Sequence, residues 1–373
     1  MLKQYKLKDY NFRLVLWLIA ISSMGVLLVG SAQISLQRRQ LTGVIMGLIL
    51  MVILSLMDFS WILNFYWILY VANIIMLVVL IFVGKTTSGA TRWIDLGFTQ
   101  FQPTELAKII LILFFAKYLM DHEEEINTFK LLVKSVCLLA LPLILIYRQP
   151  DMKNTVTVLI LFCIMLYIAG LSYKIIGGAL LIAIPLIVIF LVIVIQPDQN
   201  LIKDYQRNRI MAFFYPENEE YVDDNTQQEN SITAIGSGQL AGKGLNNNEV
   251  SSANKGNYVS QIQTDFIFAV AGEELGFVGS VCIIGLLMLI VFECILTGRR
   301  AKDLSGQIIC CGVGALVGIQ SFINICVATG LMPNTGTPLP FVSYGLSSLI
   351  TLYIGMGLVL NIGLQKSKSY AGG

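Results

Sequence analysis

The residues best placed for chemistry are three carboxylates at the start of a long apolar run. Asp265 stands where a long polar segment gives way to apolar residues, and Glu273 and Glu274 follow inside the run. An ionisable side chain at membrane depth is costly, so such a residue marks a functional site by default. Asp265 is a candidate general base, because a positioned carboxylate can accept a proton from a reacting hydroxyl group.

A structural interpretation of these carboxylates stays open. Asp265 can instead cap the N-terminus of the helix that the apolar run forms, alone or together with Thr264. On an ideal helix, Glu273 lies about 80° and Glu274 about 180° round the axis from Asp265. The two glutamates therefore cannot both share the face of Asp265, and we expect one of them to face a polar cavity or a basic partner.

Other charged residues gather at the ends of predicted helices. Arg92 can clamp a phosphate with its planar fork of donors, or it can pair with Asp95 and fix its own loop. Glu105 and Lys108 are three residues apart and share a helix face, where they form a site or a structural ion pair. Asp151 follows Gln-Pro, where a carboxylate also stabilises the start of a helix.

Two irregular stretches offer further groups. Residues 234–244 are rich in glycine and include Ser237 and Lys243. Their backbone amides can approach an anion closely, although the spacing is not that of a nucleotide-binding Walker loop. The second stretch, 324–348, is rich in proline and glycine. Irregular backbone at membrane depth is tolerated where it lines a cavity or is buried, and the alternative is an external hairpin. The candidate substrate-binding residues of the second stretch are Asn324, Pro338, Ser343 and Ser347.

The composition indicates what must position these groups. The chain has 373 residues, of which 56% are hydrophobic and 13% charged, which excludes an ordinary soluble domain. We expect an all-α, polytopic membrane protein that forms a single domain over residues 1–373, with a loop at about 197–264 between the seventh and eighth spans. Ten helices of membrane-spanning character are predicted at about 12–32, 41–57, 60–83, 104–120, 131–147, 154–171, 174–196, 265–296, 307–330 and 339–363.

Cysteine and histidine usage narrows the chemistry further. All seven cysteines lie in apolar runs, so the sequence predicts no disulfide framework. The chain has a single histidine, His122, which argues against histidine-based metal sites and against Ser-His or Cys-His nucleophile pairs. We expect membrane lipids around the chain and no nucleic-acid partner.

The distribution of Lys and Arg predicts the orientation in the membrane. Basic clusters near both ends and at 299–302 favour cytoplasmic termini, which places the loop 197–264 outside. Within this loop, residues 201–214 form an amphipathic pattern. That helix lies either at the membrane surface or against its own protein.

The motifs together, in this order, resemble those of the SEDS family of bacterial envelope proteins, which includes RodA, FtsW and SpoVE. The resemblance covers essentially the whole chain. Its residues are GATRWIDLG (89–97), FQPTELAK (101–108), QPD (149–151), AIGSG-LAGKG (234–244), TDFIFAV-GEELG (264–276) and PLPFVSYG (338–345).

The resemblance implies a ten-helix bacterial cytoplasmic-membrane glycosyltransferase that polymerises lipid II into peptidoglycan strands in cell shape, division or sporulation. It implies that Asp265 is the catalytic carboxylate, and that a class B penicillin-binding protein is the partner. A single base and direct displacement predict inversion at the anomeric carbon. Arg92, Lys108 and the glycine-rich amides are candidates for binding the diphosphate leaving group, with a divalent cation, Mg²⁺ or Mn²⁺, as a candidate and no organic cofactor. A lipid II flippase and a non-catalytic scaffold are the alternatives.

The chain departs from the family pattern at several positions. Lys153 and Asn154 stand where the family has Gly and Thr or Ser, and Ser260-Gln261 stands where it has Pro-Glu. Cys326 and Leu346 each replace a glycine. The loss of a carboxylate at position 261, beside the predicted base, is the departure closest to the chemistry.

Overall fold

The structure of the chain is a computed structural model. It describes residues 9–87, 90–95, 97, 100–196, 202–215, 218, 222–246 and 261–365. Ser260 and the basic residues closest to the chain ends, which entered the predictions above, lie outside the described residues.

The fold is helical, as predicted. The described residues form thirteen α-helices: α1 (Phe12–Ala32), α2 (Ile34–Leu56), α3 (Phe59–Leu63), α4 (Tyr66–Val83), α5 (Pro103–Asp121), α6 (Phe129–Arg148), α7 (Met152–Ile168), α8 (Tyr173–Ile195), α9 (Asp204–Phe214), α10 (Val222–Ser237), α11 (Ile267–Arg299), α12 (Leu304–Ala328) and α13 (Leu346–Leu364). Eight of them, α1, α2, α4, α6, α8, α11, α12 and α13, are long and apolar enough to cross a membrane.

The other two predicted spans differ from these eight in length or charge. Helix α7 is apolar but has 17 residues. Helix α5 has 19 residues and carries charged side chains, including Glu105 and Lys108. Most of α5 is buried inside the protein, which explains how its charges are tolerated.

Three predicted boundaries were wrong. The second span begins at Ile34 rather than 41, because the single extended residue Gln33 separates it from α1. The third span is divided into α3 and α4. The tenth begins at Leu346 rather than 339, because residues 338–345 follow an irregular path in which Phe341 has a φ of 64°.

A small sheet was not predicted. Strands β1 (Lys85–Thr87), β2 (Ala90–Asp95) and β3 (Gln100–Phe101) form an antiparallel sheet in the order β1-β2-β3 between α4 and α5. Its sequence is too short and too polar to show a period-two pattern. The sheet places Arg92 on its central strand.

Small residues let the helices approach closely, as is usual in membranes. The ring of Tyr353 on α13 lies against Gly47 of α2, where a Cβ would be 2.2 Å from the ring. The Tyr353 hydroxyl is 2.7 Å from Ser22 Oγ on α1. These contacts join three helices in the core.

The described part of the long loop folds back onto the helices. On α10, Gln228 donates to the carbonyls of Val327 and Met332, at 2.7 Å each. On α9, Tyr205 and Gln206 donate to the Pro150 carbonyl at 2.8 and 3.1 Å. Helix α9 therefore packs on its own protein, which is one of its two predicted locations.

Candidate active site

Asp265 lies in a turn that precedes α11. The carbonyl of Gln261 accepts hydrogen bonds from the backbone N–H of Thr264 at 3.0 Å and of Asp265 at 3.3 Å. Phe266, which follows Asp265, occupies the N-cap position of α11, and its side chain makes no capping hydrogen bond. The interpretation of Asp265 as a helix cap was therefore wrong, and its carboxylate is not committed to holding the helix end.

Two buried polar side chains fix the backbone of this turn. Asn324 Nδ2 donates to the Asp265 carbonyl at 2.8 Å and to the Thr337 carbonyl at 2.7 Å. Ser343 Oγ donates to the Thr264 carbonyl at 2.6 Å. Both side chains were predicted site residues, and in the structure they tie the turn to the irregular segment 333–345.

The turn opens into a cavity of about 330 Å³, which we call the Asp265 cavity. Asp265 is half-buried in its wall. The lining comprises Arg92, Trp93, Gln102, Lys153, Arg209, Gln227, Gln261, Thr264, Asp265, Phe266, Asn334, Gly336, Pro338, Tyr344, Gly345, Ser347 and Ser348. Among these residues Asp265 is the single carboxylate, while Arg92, Lys153 and Arg209 are cations.

Asp265 and two of the cations, Lys153 and Arg209, lie beside Gly336. A Cβ on Gly336 would lie 3.1 Å from Asp265 Oδ2 and 3.6 Å from Arg209 Nη1. Lys153 Nζ donates to the Gly336 carbonyl. The φ of Gly336 is 69°, which favours glycine, so both the backbone conformation and the close approach require glycine here.

Arg92 links the cavity to buried groups behind it. Its guanidinium donates to the Pro150 carbonyl and, at 3.0 Å, to the Tyr205 hydroxyl. Its Nε lies 3.9 Å from Asp151 Oδ1. Arg92 thus reaches from the β-sheet to the start of α7 and to α9, and it holds three elements around the cavity.

A second polar region lies behind this arginine, and we call it the buried polar cluster: Thr104, Glu105, Lys108, Asp151 and Asn154. Lys108 Nζ is 2.9 Å from Glu105 Oε1 and 3.0 Å from Asn154 Oδ1. Asn154 Nδ2 donates to Asp151 Oδ2 at 2.7 Å and to Thr104 Oγ1 at 3.1 Å. All five residues are buried, with at most 2% of each exposed.

The glycine-rich stretch packs against a kink in α11. Gly276, with a φ of 65° and a ψ of −163°, interrupts the helix. The N–H groups of Lys243 and Gly244 donate to the carbonyls of Glu273 and Glu274, at 3.0 and 2.9 Å. The prediction that amides of this stretch bind an anion was wrong for these two, because the kinked helix already occupies them.

The two glutamates on α11 are buried and engaged. Glu273 Oε1 lies 2.8 Å from Lys243 Nζ, so Glu273 has the basic partner that one of the pair was expected to have. Glu274 Oε1 accepts from Ser31 Oγ. Ser237 Oγ donates to the Ala234 carbonyl within α10. These four residues, Ser237, Lys243, Glu273 and Glu274, are not among those that line the Asp265 cavity.

The structure thus sorts the predicted residues into groups. Arg92, Thr264, Asp265, Pro338 and Ser347 line the cavity. Asn324 and Ser343 support its turn, and Glu105, Lys108 and Asp151 belong to the buried polar cluster.

Sequence reasoning missed Lys153 and Arg209 as site residues. Lys153 is the second residue after the QPD motif, and Arg209 lies on the basic face of the amphipathic helix. Those two signals were visible, but they gave no reason to place both cations beside Asp265.

The departures from the family pattern fall in different places. Lys153 and Gln261 both line the Asp265 cavity, and both shift its charge toward positive. Asn154 joins Lys108 to Asp151 in the buried polar cluster. Leu346 packs against Gly43 of α2, where a Cβ would be 2.4 Å from Leu346 Cδ2.

The geometry suits a displacement with an anionic leaving group. A half-buried carboxylate on a fixed turn can take a proton from an attacking hydroxyl. Neighbouring guanidinium and ammonium groups can stabilise the charge that develops on a phosphate.

Comparison with known proteins identifies similar chains. Residues 10–368 match the cell cycle protein family of FtsW, RodA and SpoVE. The sequence is 32% identical to the peptidoglycan glycosyltransferase MrdB of Escherichia coli K12 over 358 residues, which is 95% of this chain and 93% of MrdB. A solved structure on the coordination of polymerization and crosslinking by a peptidoglycan synthase complex contains a chain with a TM-score of 0.80 and 28% identity, covering 96% of this chain and 99% of that one. The rod shape determining protein RodA of Thermus thermophilus gives a TM-score of 0.69 at 28% identity, with 95% and 96% covered.

Proposed function

The chain belongs to the SEDS family of cell cycle proteins, as a peptidoglycan glycosyltransferase of cell shape or division, and we propose that it polymerises lipid II with Asp265 as general base. The observation that carries this proposal is the Asp265 cavity. One half-buried carboxylate there lies among Arg92, Lys153 and Arg209. A base beside anion-binding groups is what transfer from a sugar diphosphate requires.

In the proposed reaction the acceptor sugar hydroxyl attacks the anomeric carbon of the donor. Asp265 accepts the hydroxyl proton as the new glycosidic bond forms. The bond from the anomeric carbon to the diphosphate breaks, and its electron pair leaves with the diphosphate oxygen. A retaining mechanism would use a second carboxylate as nucleophile. Because Asp265 is the single carboxylate among the residues lining the cavity, one displacement with inversion fits better.

We propose that both chain ends face the cytoplasm and that Asp265 faces outward. Asp9 and Gly363 line one cavity of about 520 Å³, together with Arg300. Both ends of the described chain therefore lie on one side. Asp265 and Arg300 flank opposite ends of α11, whose 33 residues would extend about 50 Å in an ideal helix. The basic residues on the side of Arg300 support its cytoplasmic location.

The transport alternative finds less support. A lipid II flippase needs a polar path across the membrane. A cavity lined by Glu105, Lys108, Glu273 and Glu274 would suit either the flippase or the glycosyltransferase. Each of these side chains is buried and contacts a protein partner. The Asp265 cavity lies beside the start of α11, at one end of the helix, which favours chemistry at the membrane surface.

A class B penicillin-binding transpeptidase is the proposed partner. An apolar groove of about 450 Å³ lies between α11 and α12 and includes Gly318 and Ser321. A single membrane helix of the transpeptidase would fill this groove, and the lack of a side chain at Gly318 would let it approach closely.

The groove assignment can be tested by cross-linking. A cysteine at Phe322, which lines the groove and is 65% exposed, should cross-link to the membrane helix of the transpeptidase. A cysteine at Leu181 of α8, which is 76% exposed, is the matched control and should not. Equal cross-linking at both positions would show that the groove is not the specific binding site of the transpeptidase helix.

The activity is tested with purified lipid II. The full-length protein, alone and with the transpeptidase, should convert lipid II into glycan strands that are resolved by gel electrophoresis. Asp265→Ala should fold and bind the partner but form no strands. Lipid II movement across liposomes that contain the protein, without any strand formation by the wild type, would support the flippase and contradict this proposal. A wild type that neither polymerises nor moves lipid II would support the scaffold.

A further inference from the structure

Three cations form a wall shared by two cavities. Arg92, Lys153 and Arg209 line the Asp265 cavity and also a neighbouring cavity of about 160 Å³ beneath α9. The second cavity adds apolar residues, among them Ile202 and Ile210. The two cavities therefore suit a ligand with an anionic centre, which the three cations would bind, and an apolar end.

Lys153 is the cation whose position is best defined relative to Asp265. It lies in the first turn of α7, where the helix dipole also favours an anion. Its ammonium donates to the carbonyl of Gly336, the residue against which Asp265 Oδ2 and Arg209 Nη1 pack. An ammonium has three donors, so this contact leaves it capacity for an anion.

The same lining does not suit a divalent cation. Mg²⁺ and Mn²⁺ take oxygen ligands, and carboxylates are their usual protein donors. At a diphosphate, Mg²⁺ is usually held by one or two carboxylates together with the phosphate oxygens, and Asp265 is the single carboxylate among the residues lining the cavity. The cavity offers one carboxylate against three fixed cations, and like charges about 4 Å apart at a protein surface repel by about 4 kcal/mol. If Asp265 bound a metal, it would also be less available as a base.

We propose that Lys153 and Arg209 bind the leaving diphosphate in place of a divalent cation, so that this enzyme needs no Mg²⁺ or Mn²⁺ for the transfer. This inference rests on the proposed function. When the bond from the anomeric carbon to the diphosphate breaks, the electron pair stays on a diphosphate oxygen. Lys153 and Arg209 stabilise that charge, and Asp265 receives the proton of the attacking hydroxyl. Atoms and charge balance without a further reactant.

The binding test uses inorganic pyrophosphate and metal-free, full-length protein. Isothermal titration should detect pyrophosphate binding in EDTA, and Lys153→Gln should weaken it by about 10-fold or more, the loss expected when a charged hydrogen bond is removed. Glutamine can still donate to the Gly336 carbonyl, so a purely structural role of Lys153 predicts unchanged binding. Lys153→Arg should retain binding because it keeps the charge.

A matched control and a second variant keep this test decisive. Lys117→Gln removes a lysine that pairs with Asp121 at the far end of α5, and it should leave pyrophosphate binding unchanged. Arg209→Gln should weaken binding as Lys153→Gln does. Binding that requires added Mn²⁺, or that is equal in the wild type and both glutamine variants, would overturn the inference.

The activity test separates this inference from the proposed function. Lipid II polymerisation by the wild type in EDTA should stay within about twofold of the rate with Mg²⁺ or Mn²⁺, and Lys153→Gln should slow it in both conditions. A rate that collapses in EDTA and returns with Mn²⁺ contradicts the inference but leaves the glycosyltransferase in place. If the wild type polymerises nothing in any condition, the proposed function fails and pyrophosphate binding alone decides the role of Lys153.

Discussion

The buried polar cluster and the Asp265 cavity are adjacent, yet their charges are arranged in opposite ways. In the cluster, Glu105 and Lys108 are buried and bonded to each other, and Asn154 continues the network to Asp151. In the cavity, Asp265 is half-buried beside open space, with an excess of cations around it. Arg92 contacts both regions.

The contrast separates framework from chemistry. A buried ion pair is costly to desolvate, and it persists only when its geometry and hydrogen bonds compensate. Such charges cannot readily change protonation or bind a ligand. Charges around an accessible space can do both. The comparison therefore assigns stability to the cluster and reaction to the cavity, and each assignment can be tested separately.

The largest stability effect is expected in the buried polar cluster. Lys108→Met leaves the Glu105 carboxylate buried without its cation, which should destabilise the protein by about 3–5 kcal/mol. Thermal unfolding in detergent measures this loss.

The double variant Glu105→Gln/Lys108→Met removes both charges and should regain much of the stability. Lys117→Ala, at an exposed i,i+4 pair with Asp121, is the control and should cost about 0.5 kcal/mol or less. If Lys108→Met lowers the unfolding free energy no more than Lys117→Ala does, the cluster does not stabilise the fold.

A smaller effect is expected where the glycine-rich stretch meets α11. Lys243→Met removes the cation from Glu273, but the Lys243 side chain is 23% exposed and water can reach the pair. We therefore expect a loss of about 1–3 kcal/mol, as when a buried polar group loses one hydrogen-bond partner. The same unfolding assay checks it. The rate per folded molecule should remain close to the wild-type rate, and a selective loss of rate would place this pair in the reaction.

Gly336→Ala should have a small effect on stability and a measurable effect on rate. Alanine at a φ of 69° costs about 1–2 kcal/mol, and its Cβ would press on Asp265 Oδ2. The carboxylate would have to move by a few tenths of an ångström, so the rate should fall by less than the roughly 100-fold that a displacement of about 1 Å can cause. A lower rate of strand formation with little change in unfolding temperature would support the contrast between the Asp265 cavity and the buried polar cluster. An unchanged rate would indicate that Asp265 does not act from its observed position.

Much of the fold could be predicted from the sequence because its signals are local. Apolar runs predicted helices at ten positions, and eight of the helices found there are long and apolar enough to cross a membrane. The polar segment between α8 and α11 predicted the loop. The β-sheet around Arg92 was missed because its strands are short and polar. The kink at Gly276 was missed because it depends on a loop that packs against it from a distant part of the chain.

The site was predictable only in part for the same reason. Asp265 and Arg92 were identifiable from residue type and motif. The ion pair of Glu105 and Lys108 was anticipated as one of two alternatives, but only the fold shows that it is closed off from the cavity. Lys153 and Arg209 reach Asp265 because α7 and α9 converge on Gly336, and no sequence spacing encodes that convergence.

The rate of glycan strand formation by Asp265→Asn tests the central claim most directly. Asparagine keeps the shape of the side chain and removes the base, so the rate from purified lipid II should fall by about 100-fold or more, with unchanged thermal unfolding. Asp95→Asn makes the same chemical change at an exposed carboxylate on β2, outside the cavity lining, and serves as the control. It should retain the wild-type rate. If Asp265→Asn polymerises lipid II as fast as Asp95→Asn, Asp265 is not the base.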